Sequence, residues 1–196
     1  MATKTDLCNM AVLSLRGGAI SNIDQDSTTE ALACKVYYDQ VLQSLFEEFA
    51  WPFATTEAVL GKVSDNPTDE WEYAYAYPVD AARLIKIAST SDEVVLYSVN
   101  YSKQGRLIYT NEEDAKIVYV KKVEDTGQYP ALFQAAFSAK LASAIAVAVC
   151  DGDLYGKLGD LAEQRYAMYI AKAKAFSQNE MKAKKNIDSE MVTSRQ

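Results

Sequence analysis

Apolar residues recur at two different periods along this chain, and the first two segments have the helical one. Residues 5–15 have the i, i+3, i+4, i+7, i+8 spacing of one helix face and predict a first helix. The residues on that face are Leu7, Met10, Ala11, Ser14 and Leu15. Residues 27–30 (Ser-Thr-Thr-Glu) have the spacing of a capping box and predict the start of a second helix. Its apolar stripe comprises Cys34, Tyr37, Tyr38, Val41, Leu42, Leu45, Phe46 and Phe49. Pro52 is expected to end it, because the residue before a proline is disfavoured in the helical region.

Residues 53–122 change to a period of two, which is typical of β-strands. Residues 71–77 predict a strand with an aromatic face, which we call the aromatic ladder, because Trp71, Tyr73, Tyr75 and Tyr77 alternate with smaller or charged residues. Further strands are predicted at 84–88, 94–99, 106–110 and 117–121, with a hairpin turn at 102–105.

Residues 129–150 are almost entirely apolar and predict a helix that is covered on most sides. Pro130 suits the first turn of that helix, where a missing N–H has no partner in any case. A membrane span is the competing interpretation. Lys140 near the middle would cost a span about 2.5–3.5 kcal/mol, so a buried central helix is favoured.

The last predicted helix covers residues 154–182, and the polar residues 183–196 are expected to form a flexible tail. Its predicted buried face comprises Leu154, Leu158, Leu161, Ala162, Met168, Tyr169 and Phe176. The predicted class is therefore α+β, a four-helix bundle with a small antiparallel β insertion between helices 2 and 3. Residues 1–52 and 127–182 would form the helical bundle, and residues 53–126 the β-rich insertion.

The composition excludes several classes of catalytic and binding site but does not identify a function. The 196 residues carry a net charge of −7 and contain no histidine, which excludes histidine-based catalysis and histidine metal sites. An acidic chain is poorly suited to gripping nucleic acid through its phosphates. The three cysteines, Cys8, Cys34 and Cys150, are expected to be small buried hydrophobes in a reducing compartment. The N-terminus lacks the apolar segment of a secretion signal.

Carboxylates supply the remaining candidates for chemistry. Asp24 with Asp26, or Asp151 with Asp153, lack the twelve-residue loop of a calcium site, and turn or capping roles are favoured. Two adjacent glutamate pairs could serve a glycosidase, namely Glu47 with Glu48 and Glu112 with Glu113. Adjacent helical residues point about 100° apart, so Glu47 and Glu48 do not converge on one site. No catalytic residue, metal or cofactor is therefore expected.

The aromatic ladder at 71–77 has no interleaved basic residues, so a base-stacking platform is not favoured. A sheet core, or a surface buried against another subunit, explains it better, since tyrosine is enriched at interfaces. Trp71, Tyr73, Tyr75 and Tyr77 are thus candidate residues for a subunit or partner interface.

Several short motifs occur in an order that resembles the head-to-tail adaptor family of short-tailed bacteriophages, also called the tail tubular protein A or portal-proximal tail accessory factor family. The first motifs are LCNMAVLSLRGGAISNID at 7–24, Ala31-x-x-Cys34 and FAWPFA at 49–54. The middle of the chain adds YAYPVD at 75–80 with Arg83, then GRLIYTN at 105–111 and IVYV at 117–120. Asp125, Tyr129-Pro130-x-x-Phe133 and Leu141-Ala142 follow, so the resemblance covers roughly residues 5–180.

The resemblance implies a structural virion protein rather than an enzyme. Such adaptors form a homo-dodecameric ring between the portal protein of the filled head and the tail nozzle protein. Double-stranded DNA leaves through the lumen without specific binding, and no membrane or cofactor is involved. The protein would be made in the cytoplasm of the bacterial host and reside at the head–tail interface of the virion.

In such rings the C-terminal segment commonly docks on the portal. Lys182, Lys184, Lys185 and Arg195 are the predicted portal-binding residues. Two alternatives stay open at this point. One is a tail-associated cell-wall hydrolase that uses a carboxylate pair, and the other is a host-encoded interaction module.

Overall fold

Along the chain, two helices come before a middle part that is rich in strands, and two helices follow it. The computed structural model describes residues 2–65, 67–89, 99–150, 152 and 154–182. Within these residues the helices are α1 (Lys4–Ser14), α2 (Thr29–Glu48), α3 (Ala131–Val149) and α4 (Leu154–Lys182). The strands are β1 (Thr55–Val59), β2 (Lys62–Asp65), β3 (Tyr73–Ala76), β4 (Ala81–Ser89), β5 (Tyr101–Gln104), β6 (Leu107–Thr110) and β7 (Ala115–Lys121).

The first two helices begin at threonine caps. Thr3 and Asp6 form a capping box at α1, with the Thr3 hydroxyl accepting from the Asp6 N–H at 3.1 Å. At α2 the cap is Thr28, and the Glu30 carboxylate accepts instead from the Gly18 N–H at 3.1 Å. The capping box predicted at residues 27–30 is therefore wrong, because Glu30 is used to hold the preceding loop.

The prediction of a four-helix bundle with a small β insertion is wrong. The described middle of the chain builds two antiparallel sheets with seven strands, one in the order β1-β7-β4 and one in the order β2-β3-β6-β5. The three-stranded sheet packs on the helices, since Val120 on β7 belongs to the same buried core as α1, α2 and α3. The sheets are thus a main part of the fold.

The alternation along β7 explains this layered arrangement. Val120 faces the helices, whereas Ile117 and Tyr119 face the other way into a second core. Tyr75 on β3 and Ile108 on β6 fill that second core from the four-stranded sheet. The molecule is therefore built as a helical layer, a three-stranded sheet and a four-stranded sheet in that order.

Several predicted strands are confirmed and others were missed. The strands predicted at 71–77, 84–88, 106–110 and 117–121 correspond to β3, β4, β6 and β7, while β1, β2 and β5 were not predicted. The strand predicted at 94–99 lies almost entirely outside the described residues. The hairpin turn predicted at 102–105 is formed by Gly105 and Arg106, because residues 102–104 belong to β5; the φ of 60° at Gly105 favours glycine.

The central helix of the helical layer is α3, as predicted from its apolar sequence. It packs against α1, α2 and α4. Among the described helices it alone is long and apolar enough to cross a membrane, with a mean hydropathy of 1.6 and half of it buried. That is weak evidence for a span, because core helices of soluble proteins have the same composition. Lys140 on α3 forms an ion pair with Glu163 on α4 at 3.0 Å.

Candidate interaction surfaces

The helical layer leaves large apolar side chains exposed on α2. Leu32 and Val36, which we call the α2 ridge, are 51% and 72% exposed. They lie on the side of α2 opposite Cys34 and Leu45, which are fully buried. The α2 ridge therefore points away from the core and has no covering element among the described residues.

A second apolar surface is a cleft of about 260 Å³ between α1 and α4, with α3 as its floor. We call it the α1–α4 cleft. Its lining residues are Met10, Ser14, Ala135, Ser138, Ala139, Ala162, Arg165 and Tyr169. The two serines are satisfied internally, because Ser138 donates to the Leu7 carbonyl at 3.2 Å and Ser14 to the Ala11 carbonyl at 2.7 Å. Five of the eight lining residues are apolar, and the Arg165 guanidinium is the charged group among them.

The outer side of α4 extends the apolar surface of this cleft. Leu154, Leu161, Met168 and Phe176, which we call the α4 stripe, are each at least 40% exposed. These four residues were predicted to belong to the buried face of the helix, and for them the prediction is wrong. Ala162 is buried as predicted, and Leu158 and Tyr169 are partly buried. The structure also buries Tyr166, Ile170 and Ala173, which were not predicted.

The α2 ridge and the α1–α4 cleft lie on opposite sides of α3. Phe133 and Phe137 face α2, since their rings contact Phe46 at 5.4 Å and Tyr38 at 4.9 Å. Ala135, Ser138 and Ala139 line the cleft. At about 100° per residue, these two sets occupy opposite faces of the helix. The layer therefore presents two different apolar surfaces in opposite directions.

A polar network joins the end of α2 to α4. The Glu48 carboxylate accepts from Lys174 at 2.8 Å and from the Tyr166 hydroxyl, and Lys140 lies 4.5 Å from the Tyr166 ring centroid. Burial acts to raise the pKa of Glu48, but hydrogen bonds from Lys174 and Tyr166 outweigh it and leave this pKa lowered. Burial, with Glu48 beside it, raises the pKa of Tyr166. Glu48 is therefore held as a carboxylate, which is opposite to the raised pKa of a glycosidase general acid.

We expect Glu48→Gln to destabilise the protein at neutral pH by about 1 kcal/mol, because the pair is only partly shielded from solvent. A lowered pKa contributes stability above the unfolded-state value of 4.5, and this contribution is lost as the pH falls through the folded-state pKa. The difference between variant and wild type should therefore shrink below pH 4.5. Urea unfolding across pH 3–7 measures it, and a constant difference would contradict the assignment.

The aromatic ladder lies mostly inside the molecule. Tyr75 is buried between the two sheets, and its hydroxyl donates to the carbonyls of Glu112 and Glu113. Tyr73 and Tyr77 are partly buried against the same core, and Trp71 is half-buried just before β3. The ladder thus has an intramolecular packing role, and its part in an interface stays a prediction.

The predicted portal-binding residues fall at or beyond the end of the described chain. Lys182 is the last residue of α4, and Lys184, Lys185 and Arg195 lie outside the described residues. Asp151 and Asp153 lie outside them as well. In the described part of the chain, no group of three or more carboxylate or cysteine side chains is placed to hold a metal.

Two of the three cysteines are fully buried, as predicted. Cys8 on α1 and Cys34 on α2 lie in the same buried core. The interaction between their thiols, together with burial, raises the pKa of Cys8, and the same interaction lowers that of Cys34. Cys150 is half-buried and donates to the Leu15 carbonyl at 3.5 Å. The pair packs α1 against α2.

Sequence reasoning missed the α2 ridge, although a signal was present. Leu32 and Val36 are apolar but lie off the predicted stripe of α2, which marks them as a second, outward face.

Comparison with known proteins does not identify a family for this chain. No family model matches the chain, and no curated protein matches it significantly.

Proposed function

We propose that this chain is a subunit of a head-to-tail adaptor ring in a short-tailed bacteriophage. The ring joins the portal to the tail nozzle and forms part of the channel through which DNA is ejected. The observation that supports the proposal best is the pair of apolar surfaces on opposite sides of the helical layer. A ring built from head-to-tail contacts needs two different contact surfaces on every subunit.

Charge is consistent with a channel through which DNA moves without being held. Each subunit carries −7, so a ring of subunits repels the phosphates of passing DNA. The order of motifs from residue 5 to residue 180 gives the proposal its specific class. In this proposal the partners are further copies of the chain, the portal protein and the nozzle protein.

The direct test is in vitro complementation. Heads of the phage that encodes this chain would be prepared without it, and the purified chain would then be added. We expect the chain to restore tail attachment and infectivity, because it supplies the missing joint. Heads that gain neither, while an extract containing the whole tail restores both, would contradict the proposal.

Residues 183–196 are proposed to contact the portal, with Lys184, Lys185 and Arg195 pairing with acidic portal residues. We expect deletion of 183–196 to weaken portal binding by about tenfold or more, because several charged contacts are lost together. Surface plasmon resonance on immobilised portal measures the change. Replacing the three basic residues by glutamine is the matched control for charge alone, and unchanged binding of the deletion variant would refute the assignment.

A further inference from the structure

The helical layer has two unpartnered apolar surfaces, and their chemistry fits them to each other. We infer that the α2 ridge of one copy binds in the α1–α4 cleft, along the α4 stripe, of a second copy. This contact rests on the ring that the proposed function requires, and it assigns the surfaces through which neighbouring subunits meet.

The first argument is position. The ridge and the cleft lie on opposite faces of α3, so one copy can use both at once with two different neighbours. Such a contact is heterologous and propagates from subunit to subunit, as a closed ring needs. A self-complementary pairing of two ridges would stop at a dimer.

The second argument is the length and charge of the two helices. Along α2, Glu47 follows Val36 by eleven residues, which is about 16 Å on a helix. Along α4, Lys172 follows Leu161 by the same eleven residues. When Val36 lies beside Leu161 and the helices are parallel, Glu47 lies beside Lys172. An antiparallel alignment would remove this ion pair.

The charged groups are available for such a pair. The Glu47 carboxylate is exposed and accepts from Gln43 at 2.7 Å, while the Glu47 carbonyl accepts from the Arg83 guanidinium at 3.3 Å. Arg165 and Lys172 are exposed on the cleft side of α4, and neither has an ion-pair partner in the described part of the chain. In the parallel alignment, Gln40 falls beside Arg165 and supplies an amide oxygen for it.

The third argument is helix direction. Within one copy, both α2 and α4 run antiparallel to α3. Phe46 near the end of α2 contacts Phe133 at the start of α3. Gly159 near the start of α4 approaches Ala146 near the end of α3. α2 and α4 are therefore parallel. Neighbours in a large ring differ by a small rotation, so the α2 of one copy stays nearly parallel to the α4 of the next. Charge and symmetry thus select the same alignment.

Zero-length cross-linking tests the contact directly. A carbodiimide activates a carboxylate so that a touching lysine amine forms an amide with it, with net loss of water. Copies with and without ¹⁵N label would be mixed in two samples, one of the concentrated chain alone and one of the chain with the portal. Both samples would be treated with carbodiimide. We expect a mixed-label peptide that joins Glu47 to Lys172.

Charge reversal provides the matched measurement. Glu47→Lys or Lys172→Glu alone should reduce the cooperativity of portal binding, because each places like charges at the contact, and the double variant should recover it. Val36→Asp should lower the affinity between neighbours by about tenfold or more. Asp160→Lys, on a different exposed side of α4, is the control and should change nothing.

The outcomes separate this inference from the proposed function. Portal binding with no Glu47–Lys172 link, and with reversals that have no effect, overturns the inference and leaves the adaptor proposal intact. No binding to the portal removes the adaptor proposal. In that case the link in the concentrated chain still supports the contact, and its absence there overturns the contact too.

Discussion

Replacement of Phe133 by alanine will lower the free energy of unfolding by about 3–5 kcal/mol. The ring is 1% exposed and lies at the junction of the end of α2, residues 51–54 and the start of α3. It contacts four aromatic rings at centroid distances of 5.0–5.4 Å, namely those of Phe46, Trp51, Phe53 and Tyr129. No neighbouring side chain can fill a space of this size, so the cavity adds to the lost burial.

The measurement is chemical denaturation followed by far-ultraviolet circular dichroism. The matched control is Val147→Ala on the same helix, because Val147 is 74% exposed and its loss should change stability by less than about 0.5 kcal/mol. Thermal unfolding should show a decrease of roughly 6–20 °C for Phe133→Ala. Equal effects of the two substitutions would mean that the junction is not packed as described.

Replacement of Ile117 by alanine will cost about 2–5 kcal/mol, which tests the second core between the two sheets. Ile117 is fully buried and packs there with Tyr75, Ile87 and Ile108. Val120, three residues further along β7, faces the helical core instead, so β7 contributes to both cores at once. We therefore expect the helices and the sheets to unfold together in the wild type.

Val59→Thr on β1 is the control for this second substitution, because Val59 is 69% exposed on the same sheet. Nuclear magnetic resonance intensities of the β7 amides report on the sheets, and circular dichroism reports mainly on the helices. Coincident transitions in both signals are expected for the wild type. An Ile117→Ala variant with unchanged stability would show that the second core contributes little, contrary to its burial.

The helix positions could be predicted from the sequence because apolar stripes and helix-ending residues such as Pro52 are local signals. α2 and α3 were predicted within a few residues, and the burial of α3 followed from the near absence of polar side chains. The sheets were harder, because alternation shows that a strand has two faces but not which layer each face meets. Val120 and Tyr119 are both apolar, and only the tertiary structure assigns one to the helices and the other to the sheets.

The error on α4 has a definite physical origin. Leu154, Leu161 and Met168 are seven residues apart and resemble a core seam, so they were predicted to be buried. The helix instead packs through small residues such as Ala162 and Ala173, which allow the close approach of α3. The helix therefore has two apolar faces. The face of small residues packs in the core, and the face of large residues stays exposed.

The candidate surfaces could be predicted only in part. The predicted interface residue Tyr75 contributes to the core because the four-stranded sheet turns its aromatic face inward. The ridge at Leu32 and Val36 was visible in the sequence as apolar residues off the stripe. The sequence could not predict that the ridge and the cleft lie on opposite sides of α3. That placement depends on how three helices pack together, which no local pattern indicates.

The native mass of the chain, alone and mixed with its portal, tests the adaptor proposal most directly. Light scattering should give the 21.7 kDa monomer alone and, with the portal, a complex that has gained a full dodecamer of chains. That result would establish a ring that assembles on the portal. A chain that stays at its monomer mass and leaves the mass of the portal unchanged would contradict the account.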